Sequence, residues 1–311
     1  MRKIFIFILF IITCTVFADK ITVDGIERTY ILHVPESVSN PAPLVFILHG
    51  GGGNGKGMIK LTGYNKISDK YGFIACYPDG VDKHWNDGRK VNQSFKNGVE
   101  VNDVKFISLL IDTLESKFSI DSARIYVCGI SNGGMMSFRL GCELNDKIAA
   151  IAPVAISMSE YLYNSCKPGK PVPLMYIFGN EDPLVPYEGG SISFHRGEVV
   201  SVENTLAFWG KNNGCSDKPV ITSIDKEDDD TYVKKYVFSG ETQRNEIEFY
   251  LIYGGGHTWP GGRQYLPEFI IGRTSEEFNA SEEIWKMVRR EKAGIINGLR
   301  LIIILLCNQN R

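Results

Sequence analysis

Ser131 stands between two glycines in Gly129-Ile130-Ser131-Asn132-Gly133, directly after the apolar run "RIYVCGI" and directly before the helical pattern "GGMMSFRLGCEL". This is the G-x-S-x-G spacing of a nucleophile elbow, in the strand-then-helix context that the motif requires. Such a turn holds a serine above the sheet, its glycines leave room for the bend, and the helix N-terminus puts N–H groups and positive potential beside the hydroxyl. A serine is also a common helix cap, so the motif alone does not separate a nucleophile from a turn residue.

A serine nucleophile needs a base to take its proton and a carboxylate to orient that base. "GNEDPLVPY" places Asp182 after the strand-like "PLMYIF", with Glu181 beside it as the alternative acid, and "YGGGHTWPGG" places His257 after "EFYLIY". Of the five histidines, His33 lies in a strand, His84 and His195 in polar loops, and His49 in a separate glycine motif. That motif, His49-Gly50-Gly51-Gly52-Gly53, ends the apolar run "PLVFIL" and has the form of an oxyanion loop. The expected donors are the backbone amides of Gly51, with Gly50 as the alternative, and of Asn132. A phosphate loop is excluded, because Lys56-Gly57 follows without the Ser or Thr that its spacing demands.

The elements that must position these residues are short apolar runs closed by Gly, Pro or Asp, among them "YILHVPE", "GFIACYPDG" and "IAAIAPVAI". Several are apolar without alternation, as in central strands covered on both faces. Between them lie helical periodicities such as "VKFISLLIDTLESKF", with Val104, Ile107, Leu110, Ile111 and Leu114 on one face. Strands alternating with helices predict an α/β fold with a mostly parallel central sheet and helices on both faces. No linker or repeat divides the chain, so a single domain is expected over 19–290.

The N-terminus "MRKIFIFILFIITCTVFADK" has a basic start at Arg2 and Lys3, an apolar core from Ile4 to Ile12 and a small-residue cleavage signature at Val16-Phe17-Ala18. A signal peptide over 1–18 and a secreted protein follow, rather than a lipoprotein ending at Cys14, since Ile11-Ile12-Thr13 lacks small residues before the cysteine. Export permits disulfides, and Cys142 with Cys166, flanking a helix-to-strand unit, form the best candidate pair. Cys76 and Cys128 read as buried thiols within strands. The tail over 291–311 is apolar but interrupted by Arg300, and its apolar stretch is shorter than the ~20 residues of a membrane span.

The 311 residues carry 34 basic and 36 acidic side chains for a net charge of −2, with no basic stripe, which argues against nucleic acid as a partner. The acidic cluster Asp225 to Asp230 lacks the glycine and spaced ligands of a calcium loop and reads as a solvated hairpin tip.

Taken together, "LHGGGGNG", "YPDG" with "WNDGR", "VCGISNGGMMSFRL", "GNEDPLVPYEGG" and "GGGHTWPGG" resemble the poly(3-hydroxybutyrate) depolymerase-like esterases, which merge with the feruloyl and acetylxylan esterases of carbohydrate esterase family 1. The resemblance implies an α/β-hydrolase fold with Ser131 as nucleophile, Asp182 as acid and His257 as base. It also suggests that Trp85 and Trp259 line the acyl pocket, although either could equally be core packing. Ile130 replaces the methionine common before the nucleophile, and the segment after "NDGR" lacks the cysteines that many relatives carry.

The expected activity is hydrolysis of a carboxylic ester through an acyl-enzyme, by a monomer, with no metal or organic cofactor implied. Polyester depolymerases of this kind usually append a binding domain that this sequence does not display. Feruloyl or acetyl groups on plant cell-wall polysaccharide are therefore the expected substrate, with hydroxybutyrate oligomers as the alternative. A non-catalytic polymer-binding protein and a serine peptidase remain as different classes.

Overall fold

Runs rich in β-branched and aromatic residues form strands wherever a neighbouring strand can satisfy their backbone. The computed structural model describes residues 18–89, 91, 95–96, 98–242 and 245–290, so the expected leader through Phe17 and the tail over 291–311 lie outside the described residues. The strands are β1 (Ala18–Val23), β2 (Ile26–His33), β3 (Ala42–Leu48), β4 (Ile74–Pro78), β5 (Phe95–Lys96), β6 (Val99–Glu100) and β7 (Ile120–Ile130). They continue as β8 (Ala150–Val154), β9 (Leu174–Gly179), β10 (Gly190–Ser191), β11 (Glu198–Val199), β12 (Val220–Ile224), β13 (Tyr232–Phe238) and β14 (Ile247–Tyr253).

Ten of these form one sheet in the order β1-β2-β4-β3-β7-β8-β9-β14-β13-β12. The pairs from β4 through β14 are parallel, while β1 and β2 at one edge and β13 and β12 at the other are antiparallel. The mostly parallel sheet expected from the sequence is therefore present, with antiparallel strands closing both edges.

Helices α1 (Gly55–Thr62), α2 (Tyr64–Tyr71), α3 (Asp103–Lys117), α4 (Asn132–Glu143), α5 (Glu160–Ser165), α6 (Val202–Asn213) and α7 (Glu268–Ile271) precede a helix over residues 280–290. Along β3, Leu44, Phe46 and Leu48 face one core with Phe106 of α3, Phe138 of α4 and Trp209 of α6. Val45 and Ile47 face the other with Met58 of α1, Tyr64 of α2 and Trp285 of the 280–290 helix. Burial on both faces is why these strands read as continuous apolar runs rather than alternating ones.

Cys142 at the end of α4 is bonded to Cys166 just after α5, as the sequence suggested, while Cys76 and Cys128 are buried free thiols. Among the described residues no helix is long and apolar enough to cross a membrane.

Candidate active site

The register of the parallel strands brings the ends of β3, β7, β9 and β14 to one edge of the sheet, with Leu48 beside Gly129 and Gly179 beside Ile252. The Gly50-Gly51 loop, Ser131, Asp182 and His257 each follow one of those ends, the edge at which open α/β sheets collect ligands.

Ser131 joins β7 to α4 with φ 55° and ψ −122°, a backbone conformation that costs a non-glycine residue ~1–3 kcal/mol. It is held there from both sides, its N–H donating to Val154 O at 2.9 Å and its carbonyl accepting from Met135 N at 2.9 Å. The glycines explain themselves sterically. A Cβ on Gly129 would lie 2.6 Å from the Gly133 backbone, and one on Gly133 would lie 2.4 Å from the Leu48 carbonyl oxygen. Ser131 occupies the cap position of α4, yet its hydroxyl makes no capping bond, whereas Ser159 and Ser201 accept from Leu162 N and Asn204 N. The hydroxyl is thus not consumed by the structural role that a serine at a helix start usually plays.

The glycine loop after β3 lies alongside. A Cβ on Gly50 would sit 3.5 Å from Ser131 Cβ, and one on Gly51 would sit 3.8 Å from Asn132 Cβ. Among the described residues the N–H groups of Gly50, Gly51 and Asn132 make no hydrogen bond within the protein. His49 pins the loop from behind: Nδ1 bonds Gly50 O at 2.8 Å and Nε2 accepts from Gly80 N at 2.9 Å. Both bonds require the neutral Nδ1–H tautomer, and burial accordingly lowers the His49 pKa below its ordinary value.

Asp182 and His257 meet directly. His257 Nδ1 lies 2.7 Å from Asp182 Oδ2, with both side chains almost completely buried at 4% and 1% exposure. The other carboxylate oxygen accepts from Leu184 N at 2.8 Å and Val185 N at 2.9 Å, so the acid is fixed at both ends. Glu181, the alternative acid, is exposed to solvent. The His257 backbone is held as well, its N–H donating to Ile271 O and its carbonyl accepting from the Tyr265 hydroxyl at 2.9 Å. Ser131 and His257 line the same cleft without hydrogen-bonding to each other. Such contacts commonly tighten only when substrate binds.

The cleft has two parts that share Ser131, His257, Leu184, Phe194 and Arg196. A broad part of about 450 Å³ runs over Met58, Leu61, Leu266 and Ile270, and a narrow part of about 30 Å³ ends against Val185 and Ile192.

Neither tryptophan reaches it, which corrects the expectation that Trp85 and Trp259 line the acyl pocket. Trp85 is 1% exposed and donates from Nε1 to His49 O, and Trp259 is 0% exposed and donates to Ser281 Oγ. Each indole is packed beneath the site with its one polar group satisfied, so burial of its large apolar surface outweighs presentation to a ligand.

The "WNDGR" motif instead braces the elbow. Asn132 accepts from Trp85 N and donates to Trp85 O and, at 2.6 Å, to the fully buried Asp87. Asp87 in turn holds Arg89, whose Nη1 donates to Arg196 O at 2.6 Å. The sequence contained no signal for Phe194 or Arg196 as cleft residues, because they lie in a polar turn between two two-residue strands. His84, set aside as a loop histidine, sits against Gly51.

The acidic cluster is a hairpin tip between β12 and β13, as read, and no group of residues suited to a metal occurs among those described.

A family model described as phospholipase/carboxylesterase matches residues 31–196, more than half of the chain. A Nocardia uniformis subsp. tsuyamanensis protein named as an esterase, NocK, is 26% identical over 290 residues, covering 86% of this chain and 81% of its own. Feruloyl esterase B of Piromyces equi is 33% identical over 157 residues, which are 48% of this chain and only 28% of that enzyme. The structure of an acetyl xylan esterase from Aspergillus awamori superposes with a TM-score of 0.53 at 16% identity, over 74% of this chain and 89% of the other, a likeness of fold. The chain belongs to the phospholipase/carboxylesterase family, has the α/β-hydrolase fold and is a carboxylic ester hydrolase.

Proposed function

We propose that the protein is a secreted serine esterase that removes feruloyl or acetyl groups from plant cell-wall polysaccharide through an acyl-enzyme. His257 takes the proton of Ser131 as the hydroxyl attacks the ester carbonyl, and the amides of Asn132 and Gly51, with Gly50 beside it, receive the oxyanion. The alcohol leaves with the proton returned by His257. Water activated by the same imidazole then releases the acid. Asp182 keeps the imidazole in the Nδ1–H tautomer and stabilises its charged form. A signal peptide over 1–18, a mature domain over 19–290 and an atypical apolar tail over 291–311 belong to the same proposal.

The observation that carries this is the 2.7 Å contact of His257 with a buried, doubly anchored Asp182, on a cleft shared with a serine whose hydroxyl is uncommitted. The feruloyl ester is supported by the name of a relative, feruloyl esterase B of Piromyces equi.

The test combines a fluorophosphonate probe with hydrolysis of methyl ferulate, acetylated xylan, hydroxybutyrate oligomers and a peptide. Labelling at Ser131 and turnover of the first two are expected, with Ser131→Ala lowering kcat by on the order of 10⁴-fold or more. Wild-type rates in Ser131→Ala would end the proposal, and preferential turnover of the oligomers or the peptide would replace the substrate.

A further inference from the structure

The charged side chains lining the two parts of the cleft are all of one sign or neutral. Arg89 and Arg196 occur with the histidines, and among the described residues no Asp or Glu lines either part, in a chain whose net charge is −2. The two arginines differ. Arg89 is neutralised by Asp87, 2.7 Å away and fully buried. Arg196 has no ion-pair partner among the described residues and extends over the Phe194 ring, 5.2 Å from its centroid.

Its place is nonetheless built. Phe194 and His195 adopt φ of 65° and 53°, a tight turn whose next residue lines the cleft along with Ser131. Ser193 ties that turn to the segment after Asp182, by N–H to Leu184 O at 2.9 Å and by hydroxyl to Pro183 O at 3.1 Å. The Arg196 carbonyl is held by Arg89, and Arg89 by the same Asp87 that holds Asn132. The backbone bearing the free guanidinium is therefore wired to the nucleophile elbow on one side and to the acid's loop on the other. A planar fork of donors exposed at the rim of an apolar-walled cleft is matched by a carboxylate, which it can bind through two parallel hydrogen bonds.

We propose that Arg196 is a specificity-determining residue that selects esters bearing a carboxylate close to the scissile bond, and this rests on Ser131 being the nucleophile. The polymer counterpart is an ester group beside a uronate, rather than on an uncharged stretch.

The test measures acetate release from acetoxyacetate and from its uncharged amide, acetoxyacetamide, which holds only the one ester bond. The quantity read is the ratio of the two kcat/KM values within each protein, so a general loss of activity cancels, and fluorophosphonate titration counts the folded sites. Arg196→Gln is expected to lower the anionic-to-neutral ratio about tenfold, Arg196→Glu to lower it further, and high salt to narrow the wild-type preference. A ratio that is the same in wild type and Arg196→Gln, with Ser131→Ala inactive, would overturn the carboxylate proposal alone. Acetate release that persists in Ser131→Ala would overturn the serine mechanism on which it rests.

Discussion

At the scale of single residues, His49 shows how much of the site is supporting structure. Its ring is 1% exposed and serves as donor to Gly50 O and acceptor from Gly80 N, which only the neutral form can do. Burial lowers its pKa from the ordinary 6.5, so the unfolded chain takes up this proton first as pH falls. The sign follows: the contribution of His49 is intact above about pH 6.5 and is lost as pH drops from there toward the folded-state value. His49→Leu should cost about 1–3 kcal/mol at pH 8 by leaving the half-buried Gly80 amide unpaired. In denaturant titrations from pH 8 to pH 5, the gap between wild type and variant should stay level and then narrow below about pH 6.5. Parallel curves would remove His49 as the titrating group. The catalytic candidates were legible because their types and order are dictated by bond-breaking chemistry. Trp85 and Trp259 were misassigned because a tryptophan beside a catalytic motif has the same letters whether it faces ligand or core, and only packing decides.

At the scale of elements, the contact that positions Ser131 is the close approach of α4 to β3. A methyl on Gly133 would meet the Leu48 and His49 carbonyl oxygens at 2.4 and 2.5 Å, so Gly133→Ala must push the helix off the sheet and turn the elbow with it. The expected result is a folded protein, destabilised by ~1–3 kcal/mol, with kcat reduced more than KM. Gly210 in α6 is the control. Nothing lies within 4 Å of a Cβ built there, so Gly210→Ala should stabilise by ~0.5–1 kcal/mol and leave kcat alone. Equal effects of the two substitutions on kcat would refute the steric account. The strands β3, β7, β9 and β14 and helices α3 and α4 could be read from the sequence because burial on two faces or one imposes its pattern on the residues. The pair β10 and β11 could not be read, since two residues carry no period, and with that hairpin went Phe194 and Arg196.

At the scale of the whole molecule, the sheet edge formed by β12 and β13 is coupled to the active site through the acidic cluster that the sequence presented as a solvated tip. Asp229 accepts from Thr231 N, from the Thr231 hydroxyl and from Glu276 N, while the Glu277 carboxylate accepts from Lys226 N and Glu227 N. Arg273 completes the latch by pairing with Asp230 at 2.9 Å and donating to Asp229 O. The carbonyl of Arg273 receives Gly256 N, and that of Ile271 receives His257 N, so the latched segment is the one that carries the base. A sequence cannot reveal this, because the partners approach only after the chain has crossed to β14 and returned. Burial alone would raise the Asp229 pKa, but the amides of Glu276 and Thr231, the Thr231 hydroxyl and Arg273 together hold it below its ordinary 3.8. A depressed carboxylate stabilises fully above its unfolded value and loses that contribution as pH falls through its folded one. Asp229→Ala should therefore lower stability by about 1 kcal/mol, at the low end for bonds to a charged group at a partly solvated site. Thermal unfolding should show a constant gap from neutral pH down to about pH 5 that closes below about pH 4. Because His257 hangs on the same segment, ester turnover should fall with the latch even where the protein remains folded. A variant with wild-type turnover, or a gap that persists into acid, would mean that the hairpin tip is as independent of the site as its letters suggest.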